Sequence, residues 1–229
     1  MSKFSKRQKY LNSLEERKYS VSEALEFLNS GPKTKFEESI DVSINLGIDS
    51  SKSDQTVRSA ISLPSGTGKT SKVAVFAEAE QAKEALDSGA DVVGMEDLSD
   101  KIKKGNDDFD VIIATPDTMK IVSPLGKILG PKGTMPNPKT GTVTKDIGKA
   151  VKSAKSGQIR YRADKSGIVH GRVGSLSYSS DQIQQNLEVL LADIKRNKPA
   201  SSKGIFIKKI SISSTMGAGI ELDINLLNF

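Results

Sequence analysis

The chain has 229 residues, 36% apolar and 27% charged, with 34 basic against 28 acidic groups and a net charge of +6. That length can bury one or two cores, and the composition is that of a folded, water-soluble chain rather than a fibrous or disordered one. With no Cys and one His, disulfides, thiolate catalysis and multi-histidine metal sites are excluded, and the longest apolar run, Val73 to Ala77, is too short to cross a bilayer or form an export signal.

The basic start of the chain gives way to a helix. Ser20 and Glu23 make a capping box, Val21, Ala24, Leu25 and Leu28 share one face, and Gly31-Pro32 ends the pattern. Ile40, Val42, Ile44 and Leu46 alternate with polar residues, the period of a half-buried strand. Val57, Ile61 and Leu63 predict a second strand, ended by Pro64. Beyond it strands and helices alternate. Strands are predicted at Lys72 to Ala77, Asp91 to Val93 and Phe109 to Ala114, with helices over Glu78 to Ser88, Leu98 to Lys104 and Met119 to Leu129. Gly130 to Pro138 then reads as a stiff Gly- and Pro-rich loop. The last third returns to the first style. Ile159, Tyr161 and Ala163 alternate, Asp164-Lys165-Ser166-Gly167 is a turn, and Ile168 to Val173 reads as the return strand of a hairpin. Ser179 and Gln182 cap a helix lined by Ile183, Leu187, Leu190, Leu191 and Ile194, and two alternating runs follow, Ile205 to Ser213 and Ile220 to Leu226.

The economical architecture is an α+β domain split between residues 1–66 and 158–229. An α/β domain, Rossmann-like and three-layered, is inserted at 67–157 through a double hinge at Gly66, Gly68 and Gly157. Antiparallel runs at both ends of the chain are each too short for a separate core. Cations outnumber acids most clearly in two stretches. Lys195 to Lys209 holds six cations and no acid, and Lys120 to Lys155 holds eight with one acid, Asp146. Such stretches are candidate surfaces for a polyanion, though a charge run is also what a solvated face looks like.

Several motifs invite a function. Gly66-Thr67-Gly68-Lys69-Thr70 resembles a phosphate loop, but Leu63 stands where the first Gly is needed and the loop precedes a strand. A nucleotide-binding α/β protein is the alternative that this loop offers, and an interdomain hinge is the better reading. Gly126 to Pro138, with Lys127, Lys132 and Lys139 along it, is equally a polyanion contact or a scaffold. His170 has no evident catalytic companion, Asp107, Asp108 and Asp110 read as solvated, and Glu37 and Glu38 must point to opposite faces of an extended segment. No catalytic residue, metal site or cofactor is expected. Ser213 to Gly219 joins two strands, either as an ordinary hairpin loop or as a place where backbone and hydroxyls meet a ribose chain.

A resemblance rests on Lys35-Phe36-Glu37-Glu38-Ser39, Lys52-Ser53-Asp54-Gln55 with Val57-Arg58, and Gly66-Thr67-Gly68-Lys69. It continues in Ala114-Thr115-Pro116-Asp117, Leu129 to Gly133, Met135 to Lys139, Asp164 to Gly167 and Ser214 to Gly217. Together these resemble the bacterial form of protein one of the large ribosomal subunit, the protein of the mobile stalk. The resemblance implies a cytoplasmic, non-enzymatic component of the large subunit, monomeric when free, with no membrane partner. Its split domain would bind large-subunit rRNA, and its inserted domain would move with the stalk and assist release of deacylated exit-site tRNA. The protein would also repress its own operon by binding the mRNA. Carried onto this chain, the RNA surface is Lys35, Phe36, Thr215, Met216 and Gly217, with Asp164, Lys165 and Gly167 on a supporting turn. Glu221 is a departure, an acid shortly after the Thr-Met-Gly loop that would weaken attraction at its edge.

Overall fold

The computed structural model describes residues 5–15, 17–105 and 108–227. Contacts divide the chain into two compact units, Met1–Gly68 with Ile159–Phe229, and Lys69–Gln158.

The first unit opens with a short helix the pattern did not announce, α1 (Lys6–Leu11), capped by Ser5. Helix α2 (Val21–Ser30) follows with the expected capping box and buries Val21, Ala24, Leu25 and Leu28. Strand β1 (Ser39–Leu46) alternates without fault between half-buried and buried positions. The next strand, β2 (Arg58–Ser62), is shorter and mostly half-buried.

The second unit is a parallel sheet. Strands β3 (Val73–Phe76), β4 (Val92–Gly94) and β5 (Val111–Ala114) pair in the order β4-β3-β5. Every residue of β3 and β5 is buried, as strands covered on both faces require. Val73, Val75, Val111 and Ile113 face Ala85 of helix α3 (Ala79–Asp87). The opposite side, Ala74, Phe76, Ile112 and Ala114, faces Leu98 and Ile102 of helix α4 (Glu96–Lys103). The single helix expected at Met119 to Leu129 is instead three pieces: α5 (Met119–Val122), a 3-10 turn at Ser123–Leu125, and α6 (Gly126–Lys132). Pro124 lacks the N–H that would have continued the first piece. Helix α6 runs into the expected loop, over Pro131, and ends at Gly133 with φ 71°. The remaining loop is tied by Asn137, whose backbone N–H donates to Thr142 Oγ1 at 2.8 Å and whose side chain accepts from Lys139 N at 2.8 Å. Helix α7 (Ile147–Lys155) then covers the α3 side with Ile147, Val151 and Ala154.

One expectation here is corrected, at Asp110. Asp110 is not simply solvated, since it accepts from Lys72 N at 3.0 Å and Lys69 Nζ at 2.7 Å. Asp108 pairs with Lys72, while Asp107 lies outside the described residues. Gly66 to Thr70 leads straight into β3 and opens no helix, so the arrangement that would cradle phosphates is missing.

The chain then completes the first unit with β6 (Gln158–Arg162), β7 (Ile168–Ser175), α8 (Ser180–Arg196), β8 (Ile207–Ser214) and β9 (Ile220–Glu221). The expected β6–β7 hairpin is present only as one bridge, Ala163 to Val169. Past it the strands part: β6 joins β2, and β7 joins a four-stranded sheet of order β7-β1-β8-β9. The last run is a two-residue strand and a 3-10 turn at Ile224–Leu226 rather than one long strand. In the larger sheet β1 is antiparallel to both neighbours, and both come from the far end of the sequence. Neither end can form this sheet alone. One core joins Leu25 and Leu28 of α2, Ile40 and Ile44 of β1, and Leu187, Leu190 and Leu191 of α8. Each such aliphatic side chain stabilises by roughly 1.5–3 kcal/mol when fully buried. Among the described residues no helix is long and apolar enough to cross a membrane.

Candidate nucleic-acid interface

Just ahead of β1 two neighbouring carboxylates diverge, as extended backbone dictates. Glu37 accepts from Ser175 Oγ and, at 2.6 Å, from Ser177 Oγ. Those bonds hold its carboxyl below the usual range. Glu38 turns the other way and is 7% exposed. It accepts from Ser214 Oγ at 2.6 Å and from the backbone N–H of Met216 at 3.1 Å. Burial, the largest single influence, opposes its ionisation, but these bonds together with Thr34 and the nearby Arg7 outweigh it, and its carboxyl is also held low. A charged acceptor with two donors, one of them short, is a strong tie. It fixes the β8–β9 loop against the start of β1.

Thr215 makes the second tie. The Ser39 N–H donates to Thr215 Oγ1 at 3.0 Å, and the Thr215 N–H donates back to the Ser39 carbonyl at 3.1 Å. Ser39 Oγ sits 3.0 Å from Thr215 Oγ1 and also donates to Asp41 at 2.9 Å. The Thr215 proton is therefore directed to Ser39, and its oxygen keeps acceptor capacity for an outside donor.

Gly217 has a different reason to be glycine than close approach of a ligand. A Cβ there would lie 2.4 Å from Ser214 Oγ and 2.9 Å from Leu28 Cδ2. The loop is pressed onto α2 and onto the serine that Glu38 holds. Gly219 meets nothing within 4 Å of such a Cβ and is open.

What this platform presents outward is apolar. Phe36 is 54% and Met216 46% exposed. Phe36 lines a shallow groove with Leu28, Pro32, Thr34 and Leu176. Thr34 Oγ1 donates to the Phe36 carbonyl at 2.6 Å, steadying the segment that carries the ring. Lys35 beside it is exposed. The acid flagged at Glu221 is matched by Lys209 at 2.6 Å, which offsets its repulsion.

Asp164, Lys165 and Gly167 are elsewhere. Gly167 accepts from the Leu46 N–H at 3.0 Å, at the other end of β1. Seven residues of strand separate Leu46 from Ser39, about 24 Å at the antiparallel rise. The turn is closed by its own carboxylate. Asp164 Oδ1 accepts from Ser166 N and Ile168 N, both at 2.8 Å, and Gly167 takes φ 76°, while Lys165 O accepts from Ser50 Oγ. The two backbone bonds hold the Asp164 carboxyl low, with His170 at 3.6 Å adding to them. The structure thus joins Lys35 and Phe36 to Thr215, Met216 and Gly217, and sets the Asp164 turn apart from them.

The three glycines at the crossings all take positive φ: 70° at Gly66, 71° at Gly68 and 88° at Gly157. Gly66 is nevertheless anchored. Buried Asn186 donates to its carbonyl at 3.0 Å and to that of Val173 at 2.8 Å, and accepts from Ser65 N at 3.1 Å.

The chain reading singled out neither Glu38 nor Ser39 as a determinant of the site. Their signal was present as two acids in extended backbone next to a strand that needs a partner for its first residue.

A hydroxyl-rich edge presenting an aromatic ring and a thioether on a basic protein of mixed α/β fold has the chemistry of an RNA-binding surface. The comparisons narrow the class. Residues 25–218 match the Ribosomal protein L1p/L10e family. "Large ribosomal subunit protein uL1" of Francisella philomiragia subsp. philomiragia is 58% identical over 230 residues, covering 100% of both chains. The protein of the same name from Francisella tularensis subsp. novicida is also 58% identical over 230 residues and full-length in both. The chain belongs to the ribosomal protein L1p/L10e family.

Proposed function

We propose that this protein is a structural component of the large ribosomal subunit in the bacterial cytoplasm and holds rRNA through Lys35, Phe36, Thr215, Met216 and Gly217. The observation that carries the reading is the double tie of Glu38 and Ser39 to the 214–217 loop. It makes one rigid surface from opposite ends of the sequence and leaves Phe36 and Met216 outward. Apolar side chains of this kind pack on ribose and base faces, and the free acceptor capacity of Thr215 suits a ribose 2′-OH. Asp164, Lys165 and Gly167 form a secondary contact, reached only by RNA that runs the length of β1.

Residues 1–66 and 158–229 are the rRNA-binding domain, and 67–157 is the inserted domain of Rossmann-like, three-layer type. That domain moves with the stalk and assists release of exit-site tRNA. Gly68 and Gly157 serve as its pivots, while Gly66 is the anchored side of the hinge. The same surface binds the operon mRNA to repress translation. The protein works without catalysis or cofactor, and it is a monomer outside the ribosome.

The test is binding of the purified full-length chain to a stalk fragment of large-subunit rRNA across salt. With about 4–6 phosphate contacts, log K falls against log salt with a slope of roughly −3 to −5. Absence of binding by folded protein overturns the reading.

A further inference from the structure

The N-terminal helix has no part in the surface described so far, yet it is docked beside it. Tyr10 stacks on Phe27 of α2 with ring centroids 4.6 Å apart and planes 21° from parallel. Its hydroxyl donates to the Phe27 carbonyl, and its ring lies where a Cβ at Gly31 would stand, 3.0 Å away. One turn earlier Arg7 donates to the Pro32 carbonyl at 3.3 Å. Both contacts land at or beside the 31–36 segment that carries Lys35 and Phe36. Helix α1 itself has no buried residue. A six-residue helix does not persist alone in water, so these contacts hold it.

Two of the three charges on α1 are not engaged by the fold. Lys6 and Lys9 are exposed, and among the described residues neither has an ion-pair partner. Lys33 and Lys35 add two more exposed cations on the 31–36 segment against which α1 is docked. The nearby acids are committed inward, Glu37 to Ser175 and Ser177 and Glu38 to Ser214 and Met216. Arg7 also lies within electrostatic reach of Glu38 and helps keep it charged.

We propose that α1 is a second wall of the RNA surface, clamped there by Tyr10, and that Lys6, Arg7 and Lys9 bind RNA phosphates flanking the strand that Phe36 packs against. The inference rests on the rRNA-binding reading above and extends it to a part of the chain that lies outside the segment matched by the family, residues 25–218.

The experiment uses the full-length chain and the stalk rRNA fragment, with Kd measured from 50 to 200 mM salt. Three variants are compared with the parent. One carries Lys6→Gln, Arg7→Gln and Lys9→Gln together. A charge-matched control carries Lys101→Gln, Lys103→Gln and Lys104→Gln, on and just after α4. The third is Tyr10→Ala, which keeps all the cations and removes the clamp. If three phosphates are lost, the α1 variant's salt slope is shallower by about 2–3, and its deficit against the parent shrinks about 15- to 65-fold between 50 and 200 mM. The control keeps the parental slope, and Tyr10→Ala moves toward the α1 variant. Parallel salt lines for parent and α1 variant overturn the proposal. So does a control that loses as much, because net charge alone would then explain the loss. Unchanged binding by Tyr10→Ala overturns the clamp. A parent that does not bind the fragment at all overturns the rRNA reading itself, a result distinct from all of these.

Discussion

The two ends of β1 are closed by loops that look alike on paper, each a short polar stretch with a glycine. At the Leu46 end the Asp164 carboxylate is spent inside its own turn, on Ser166 and Ile168, and only backbone carbonyls, those of Lys165 and Gly167, reach residues elsewhere in the fold. At the Ser39 end the polar groups instead reach across the fold, from Glu38 to Ser214 and Met216 and from Ser39 to Thr215. The first arrangement makes a turn. The second makes a platform, because it fixes a loop from the chain's far end while Phe36 and Met216 stay exposed. A glycine-bearing loop is therefore informative when a carboxylate and hydroxyls from the other end of the chain tie it down. The glycines differ in the same way: Gly167 answers a backbone angle, and Gly217 answers a lack of room.

Four substitutions sharpen or break this contrast. The largest effect is expected from Gly217→Ala. Its methyl group must displace Ser214 or Leu28, so overpacking costs about 1–3 kcal/mol of stability. RNA affinity falls with it, and chemical denaturation plus a binding titration check both. Phe36→Ala comes next and should separate the two readouts. An exposed ring contributes little to folding, within about 0.5 kcal/mol, while loss of a stacked base costs roughly 1–3 kcal/mol of binding. Loss of stability without loss of affinity would make Phe36 a scaffold residue.

Glu38→Gln is predicted to cost about 1 kcal/mol at neutral pH, the difference between hydrogen bonds to a charged and a neutral acceptor. The sign of its pH dependence follows from a folded-state carboxyl held below its unfolded value. The parent's advantage is complete above the ordinary glutamate range and disappears as pH falls through the lower, folded-state value. Thermal melts of both proteins from pH 6 to pH 3 should converge at the acid end. Asp164→Asn is the smallest. At about 24 Å from Ser39 along the strand it should change affinity for a short fragment less than about threefold. An effect as large as that of Phe36→Ala would abolish the distinction between the two ends.

Much of this was legible in the sequence, for local reasons. Capping boxes at Ser20 and Ser179 and the alternation of Ile40 to Leu46 are set by neighbours in the chain, and the structure reproduces them. The breakdowns have equally local causes. Pro124 divided a helix that its apolar spacing suggested was continuous. Helix α7 escaped notice because lysines and small residues dilute its Ile147, Val151 and Ala154 spacing. The β6–β7 hairpin was a fair reading of the turn, but which strand takes β6 is decided by β2, about a hundred residues away. At the candidate site, Phe36 and Thr215 come from the resemblance to a family and not from any local pattern in the chain. That Glu38 links them could not be read there, because it lies 176 residues from Ser214 and no periodicity records the link. Nor does the chain show that Gly217 is pressed against Ser214 and Leu28, since both contacts come from the fold.

The most direct measurement is amide hydrogen exchange on the full-length chain with and without the stalk rRNA fragment. If one platform meets the RNA, the amides of 35–39 and 214–218 gain protection together at the same RNA concentration. Protection of only one of these segments, or of neither while RNA is bound, would contradict a single surface built from both ends of the chain.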